Sequence, residues 1–113
     1  MARDCLTTNT RIGELTMACQ VILEVRTKEG CFDQVRDWFK GRLPDTREYD
    51  GCQSIHLVNN QDDPNSIMIV EQWETRQKYE TYLAWRGERG DMDTLGAMLD
   101  GEPSIRFFDY MGI

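Results

Sequence analysis

The sequence predicts an α+β domain: a ferredoxin-like split β-α-β arrangement, in which a four-stranded antiparallel sheet carries its helices on one face. Three observations predict it. Apolar residues alternate with a period of two in residues 17–27, 52–58, 66–73 and 104–110, which is the period of strands with one face in a core. Apolar residues recur at helical spacing between the first and second of these segments and again between the third and fourth. The second and third segments are joined by Asn59-Asn60-Gln61-Asp62-Asp63-Pro64-Asn65, a run of turn formers too short for a parallel crossover.

Each element has its own warrant. In the first strand Cys19, Val21, Leu23, Val25 and Thr27 fall on one face and Ala18, Gln20, Ile22, Glu24 and Arg26 on the other. Lys28-Glu29-Gly30 ends it. Phe32, Val35, Phe39 and Leu43 then mark an amphipathic helix that Pro44 is expected to end or restart, with a short helical turn over residues 45–49 and a break at Asp50-Gly51. The second strand turns Ile55 and Leu57 one way and Ser54, His56 and Val58 the other. In the third, Ile67, Ile69, Glu71 and Trp73 oppose Met68, Val70, Gln72 and Glu74. Thr75 is the expected cap of a helix to about Arg86, Asp91 the cap of a second over residues 92–99, and Gly101-Glu102-Pro103 the stop before the last strand.

With 113 residues the chain holds one domain, residues 17–113, preceded by a polar, aperiodic arm over residues 1–16. The net charge of −7 repels a phosphate backbone, so nucleic acid and anionic membranes are excluded as expected partners. No apolar run is long enough to span a bilayer and no apolar signal core follows Met1, so a cytoplasmic location is expected. Cys5, Cys19, Cys31 and Cys52 are widely spaced and His56 is the single histidine, a poor set for a metal site; they read as reduced space-filling thiols. Asp62-Asp63 reads as turn chemistry, and Asp91 with Asp93 as helix capping. One sheet face carries Met68, Val70 and Phe108 or Tyr110. That face is too apolar for water, and a second sheet from an identical subunit is its simplest cover.

Asp50-Gly51-Cys52, Asp62-Asp63-Pro64-Asn65 and Val70-Glu71-Gln72-Trp73-Glu74 resemble the P-G-C, D-P-N and E-x-W marks of the antibiotic biosynthesis monooxygenase family, in the right order over roughly residues 18–110. The resemblance implies a dimeric α+β barrel, two sheets back to back, with a pocket in each subunit between sheet and helices. It implies a monooxygenase that uses no flavin, haem or metal, because an electron-rich phenol or anthrone, once deprotonated, itself reduces O₂. A haem-degrading relative of this fold ligates iron through a helix histidine, and none is present on these helices.

The candidate site residues are Trp73, Tyr82, Tyr79, Arg86 and His56. Trp73 matches the family's strand tryptophan, whose indole N–H is a potential donor in the pocket, or it is core. Ile69 stands where the polyketide oxygenases place Asn, and Tyr82 where many members place His. Tyr79 and Tyr82, at i and i+3, with Arg86 a turn further on, form a cluster able to hold a phenolate or a superoxide-like anion; singly, each tyrosine also suits plain packing. His56 is the nominal base, or a structural strand histidine. Glu71 either orients the indole, accepts a proton, or pairs with an arginine, the last being expected. Two other functions stay open: isomerisation of a small oxygenated metabolite by the same groups, and a dimeric small-molecule-binding or stress-related protein without catalysis.

Overall fold

Alternation builds the sheet. The computed structural model describes residues 18–113; the arm expected over residues 1–16, like Met17, lies outside the described residues. In β1 (Cys19–Arg26) the side chains of Cys19, Val21, Leu23 and Val25 are buried, and in β3 (Ser66–Trp73) those of Ile67, Ile69, Glu71 and Trp73. The two strands pair antiparallel with Cys19 opposite Trp73 and Arg26 opposite Ser66. β4 (Ser104–Asp109) joins the free side of β1, and β2 (Cys52–Asn59) the free side of β3 across a bulge between Cys52 and Ser54. The order is β2-β3-β1-β4, the antiparallel sheet of the ferredoxin-like α+β fold.

Three helices cover the inner face: α1 (Phe32–Glu48), α2 (Arg76–Glu88) and α3 (Asp91–Gly96). Val35 and Phe39 of α1 pack with Leu23, Ile55, Ile69 and Leu95 in the main core. Each such fully buried aliphatic or aromatic side chain contributes roughly 1.5–3 kcal/mol. A second cluster, Cys19, Val21, Trp73 and Tyr79, lies at the other end of the sheet. Thr75 caps α2 as expected, its hydroxyl accepting from the Lys78 N–H at 3.1 Å.

Helix boundaries differ from expectation in three places, the first being that α3 stops at Gly96 and does not run to residue 99, where Leu99 instead bridges to Thr27. α1 runs through Pro44 without ending. Proline removes one helical hydrogen bond, but Arg86 reaches from α2 to donate to the Arg42 carbonyl at 2.9 Å and to Thr46 Oγ1 at 3.1 Å, so tertiary bonds grip the helix on both sides of Pro44. Asp91 is not a cap. Gly90, with φ of +81°, occupies that position, and the Asp91 carboxylate turns inward to arginines.

The turn residues have structural tasks. Thr27 Oγ1 donates to Asn65 Oδ1 at 2.9 Å, Asp62 N–H donates to Asn60 Oδ1 at 2.8 Å, and Asp63 pairs with Arg26, which ties the β2–β3 turn to the end of β1. Gly51 has φ of +97°, and a Cβ there would lie 2.7 Å from the Lys78 side chain, so both backbone angle and space demand glycine. The outer sheet face carries half-buried Ile22, Met68 and Val70 with exposed Val58 and Phe108.

Candidate functional site

Between the sheet and the three helices lies a cavity of about 30 Å³. Ile69 and Glu71 of β3 form its floor, Trp38, Arg42 and Thr46 of α1 one wall, and Tyr79, Tyr82 and Arg86 of α2 the other. These residues converge for simple reasons of period. Ile69 and Glu71 are two apart on one strand face, 38, 42 and 46 follow the i, i+4 stripe of α1, and 79, 82 and 86 the equivalent stripe of α2. The volume suits a water or O₂; a cavity that takes benzene measures ~150 Å³, so an aromatic ligand requires the helices to part.

Glu71 is the group with the most unusual chemistry. Its side chain is 3% exposed, and no arginine pairs with it among the described residues. Trp73 Nε1 donates to Glu71 Oε1 at 2.9 Å. Burial pushes the carboxyl up to about 7, and the indole hydrogen bond only partly counters that shift. Within the chain the described residues offer Glu71 no arginine, and its observed side-chain partner is the indole of Trp73. A carboxylate that titrates near neutrality in an apolar cavity is suited to general acid-base work.

Trp73 is fully buried behind Glu71 in the second core cluster and does not line the cavity; its N–H, a potential pocket donor in one of the two readings of this residue, is given to the carboxylate. Its ring meets Tyr79 edge-on at 5.4 Å and Tyr82 at a tilt at 5.1 Å, and Tyr49 lies 5.2 Å from Tyr82. Tyr79 and Tyr82 come together as anticipated, with centroids 6.1 Å apart. Burial raises both phenols above their ordinary range; for Tyr79 the Glu71 charge adds to the effect, and for Tyr82 burial outweighs its hydrogen bonding with Thr46 and Arg86. Both are neutral donors at physiological pH, not bases.

Arg86 is 1% exposed and heavily engaged. Its Nε donates to Tyr82 Oη at 2.9 Å and its Nη1 to Asp91 Oδ2 at 2.9 Å, in addition to the two bonds into α1. Tyr82 and Thr46 lie 2.7 Å apart, and Thr46 Oγ1 donates to the Arg42 carbonyl, so the tyrosine hydroxyl donates to Thr46 while accepting from Arg86. Arg86 thus positions Tyr82 and locks three helices; the anion-holding role expected for it meets a guanidinium already committed. Asp91 also receives Arg89 at 3.2 Å and faces Arg42 Nε at 3.5 Å. Burial alone would raise its carboxyl, but the arginines hold it below the ordinary carboxylate range.

His56 sits elsewhere. It is exposed on the outer face opposite Val70, while Ile55 beside it points to the core, so the sheet itself separates the imidazole from the cavity. A strand residue one place out of phase with Ile55 could go nowhere else. Four contributors escaped the sequence reading: Trp38, Arg42, Thr46 and the inward carboxylate of Asp91. The signal was present for three of them, since Trp38, Arg42 and Thr46 share the stripe of Val35 and Phe39, and polar groups on a core stripe point to a site. Cys19, Cys31 and Cys52 are free thiols, and among the described residues no group of three or more His, Cys, Asp or Glu is placed to hold a metal. No described helix is long and apolar enough to cross a membrane.

The sequence model of the family described as antibiotic biosynthesis monooxygenase matches residues 19–87, most of the sheet together with the helices that wall the cavity. The chain belongs to this family. No curated protein matches it. Solved structures of the family's fold superpose on it closely. A conserved protein from Methanosarcina mazei Go1 matches with a TM-score of 0.77 at 15% identity, over 86% of this chain and 96% of that one. A structure described as an antibiotic biosynthesis monooxygenase matches with a TM-score of 0.74 at 19% identity, over 82% and 98%. A variant of SnoaB, a cofactor-independent oxygenase from Streptomyces nogalater, matches with a TM-score of 0.73 at 15% identity, over 84% and 94%. At these identities the superpositions speak for the fold. Within that fold, this member of the antibiotic biosynthesis monooxygenase family fills its cavity floor with Ile69 and a buried carboxylate.

Proposed function

We propose that the protein is a cofactor-independent monooxygenase that oxidises a small electron-rich phenol-, quinol- or anthrone-like compound with O₂. One observation carries the reading: the sealed Glu71 carboxylate, titrating near 7, on the floor of an aromatic cavity. Membership of the antibiotic biosynthesis monooxygenase family and the fold shared with a cofactor-independent oxygenase support it.

The chemistry closes on the residues present. Glu71 takes a proton from the substrate, and the resulting carbanion or phenolate passes one electron to O₂. Recombination of the radical pair forms a carbon–oxygen bond, and the proton held by Glu71 converts the peroxide anion to a hydroperoxide. Loss of water, taking the remaining hydrogen from that carbon, leaves a carbonyl; one oxygen atom of O₂ ends in product and the other in water. Tyr79 and the fixed Tyr82 contribute a neutral, water-poor wall, in which developing charge on oxygen is stabilised by fixed dipoles. For entry of an aromatic ring, α1, α2 and α3 must separate.

The outer face supports a homodimer, since Ile22, Met68, Val70 and Phe108 form an apolar surface of the kind a second sheet covers. In this reading residues 17–113 form the whole domain and residues 1–16 an arm. A second reading uses Glu71 alone: a carboxyl that both accepts and returns a proton near neutrality also serves isomerisation of a small oxygenated compound without O₂. The deciding experiment is O₂ uptake by metal-stripped protein with a panel of anthrones, quinols and phenols. Uptake above the uncatalysed rate that falls on changing Glu71 to Gln supports the oxygenase; proton exchange into a ligand without O₂ uptake favours the isomerase.

A further inference from the structure

Among the described residues only two buried side-chain nitrogens lack a hydrogen-bond partner, Trp38 Nε1 and Arg42 Nε. Both are donors, they sit one turn apart on α1, and both residues line the Glu71 cavity. The Arg42 guanidinium lies over the Trp38 ring at 4.5 Å, so the two act as one unit. Arg42 Nε is 3.5 Å from Asp91 Oδ1, within reach for charge attraction but not placed for a hydrogen bond. Natural proteins rarely leave two neighbouring buried donors unmet, and a site that does so favours a ligand acceptor over bare packing.

The charge balance gives the sign of that acceptor. The cavity-lining Arg42 and Arg86 both reach the single carboxylate of Asp91, which solvent-exposed Arg89 pairs from outside the cavity, so the helix side of the cavity carries two guanidiniums against one anion and is left positive. Glu71 stands apart from them on the sheet side. The cavity is therefore polarised, with a proton acceptor on its floor and an anion-seeking wall on α1.

We propose that Trp38 and Arg42 form a carboxylate-binding subsite, and that the ligand of this cavity is a small hydroxylated aromatic acid, its hydroxyl toward Glu71 and its carboxylate toward α1. The proposal deepens the oxygenase reading, from which it takes Glu71 as the group facing the hydroxyl. A planar carboxylate meets both needs of the wall: its two oxygens accept from the indole and from the guanidinium, and its charge answers the unbalanced arginines.

Binding tests this without any turnover. The full-length protein is titrated calorimetrically with phenol and with the 2-, 3- and 4-hydroxybenzoates, compounds without the second hydroxyl that makes a quinol oxidisable by O₂. At least one hydroxybenzoate should bind tenfold or more tightly than phenol. Trp38→Phe, which keeps the ring and removes the donor, and Arg42→Lys, which keeps the charge and removes Nε, should each reduce that advantage below about threefold and leave phenol affinity within twofold. No hydroxybenzoate exceeding phenol, absence of binding included, overturns the subsite, as does an equal loss of both ligands in the two variants. The parent reading fails separately: a retained carboxylate preference with no O₂ uptake on any quinol, carboxylated or plain, sinks the oxygenase and leaves the subsite standing.

Discussion

Trp73 and Glu71, two residues apart on one face of β3, bind each other and nothing else polar among the described residues: the indole N–H donates to the carboxylate at 2.9 Å, and both side chains are sealed from solvent. The pair converts a structural tryptophan into a control on a titratable group. The hydrogen bond favours the charged carboxylate and burial opposes it, with burial the larger effect.

Glu71→Gln keeps the shape and the indole's acceptor but cannot take a proton. Oxygen uptake with a responsive quinol or anthrone should fall by roughly 10²-fold or more, the usual contribution of a positioned base. In the parent protein kcat should rise with pH through about 7 and level off above it, because the working form is the ionised one. A pH-independent rate across that range, or a Gln variant as fast as the parent, removes Glu71 from the chemistry.

The same group predicts the stability profile. Its folded pKa lies above its unfolded value, so between about 4.5 and about 7 the folded state binds the proton more tightly. Stability from this carboxyl is complete below that window and declines as pH rises through it, by an amount of order 3 kcal/mol. Glu71→Gln should therefore have the higher urea midpoint at pH 8, with the advantage shrinking toward pH 4.5.

Trp73→Phe preserves an aromatic ring and deletes the donor. Without the indole bond the carboxyl moves further up, so the rising limb of the kcat profile should shift to higher pH than in the parent. Loss of a buried hydrogen bond to an ionisable partner should also cost roughly 1.5–3 kcal/mol in denaturant unfolding. An unmoved limb would show that the indole does not tune Glu71.

Asp91→Ala strips Arg86 of its buried counter-charge. Arg86 is 1% exposed and cannot reach water without separating α1, α2 and α3. Breaking such a pair from one side should cost roughly 3–5 kcal/mol, measured by urea unfolding. Arg89, exposed and paired to the same carboxylate, offers the contrast: Arg89→Ala should cost under ~1 kcal/mol.

The outer face predicts assembly. Sedimentation at micromolar concentration should give twice the chain mass of 13.2 kDa, and Val70→Asp, opposite Ile22 at the centre of that face, should return the protein to 13.2 kDa. A parent protein that already sediments as the single chain would leave the apolar face without its proposed cover.

The four strands, the faces they bury and the three family marks were legible from period and turn chemistry, because those are properties of neighbouring residues. Phase alone also determined that Glu71 and Trp73 share the inner face and that His56 does not point where Ile55 points. What lay beyond the sequence were relations between elements. Whether Glu71 also meets an arginine depends on which helix covers it, and the arginine on that helix, Arg86, is drawn instead to Asp91, Thr46 and the Arg42 carbonyl. Pro44 looks like a helix end until Arg86 is seen holding both sides of it, and Asp91 looks like a cap until Gly90 takes the turn. Local sequence thus determined the strands, the sheet face of each side chain and the family. Only the packing of α1, α2 and α3 decided which of the buried polar groups are satisfied by one another, and therefore that among the described residues Trp38 Nε1 and Arg42 Nε are left without a partner.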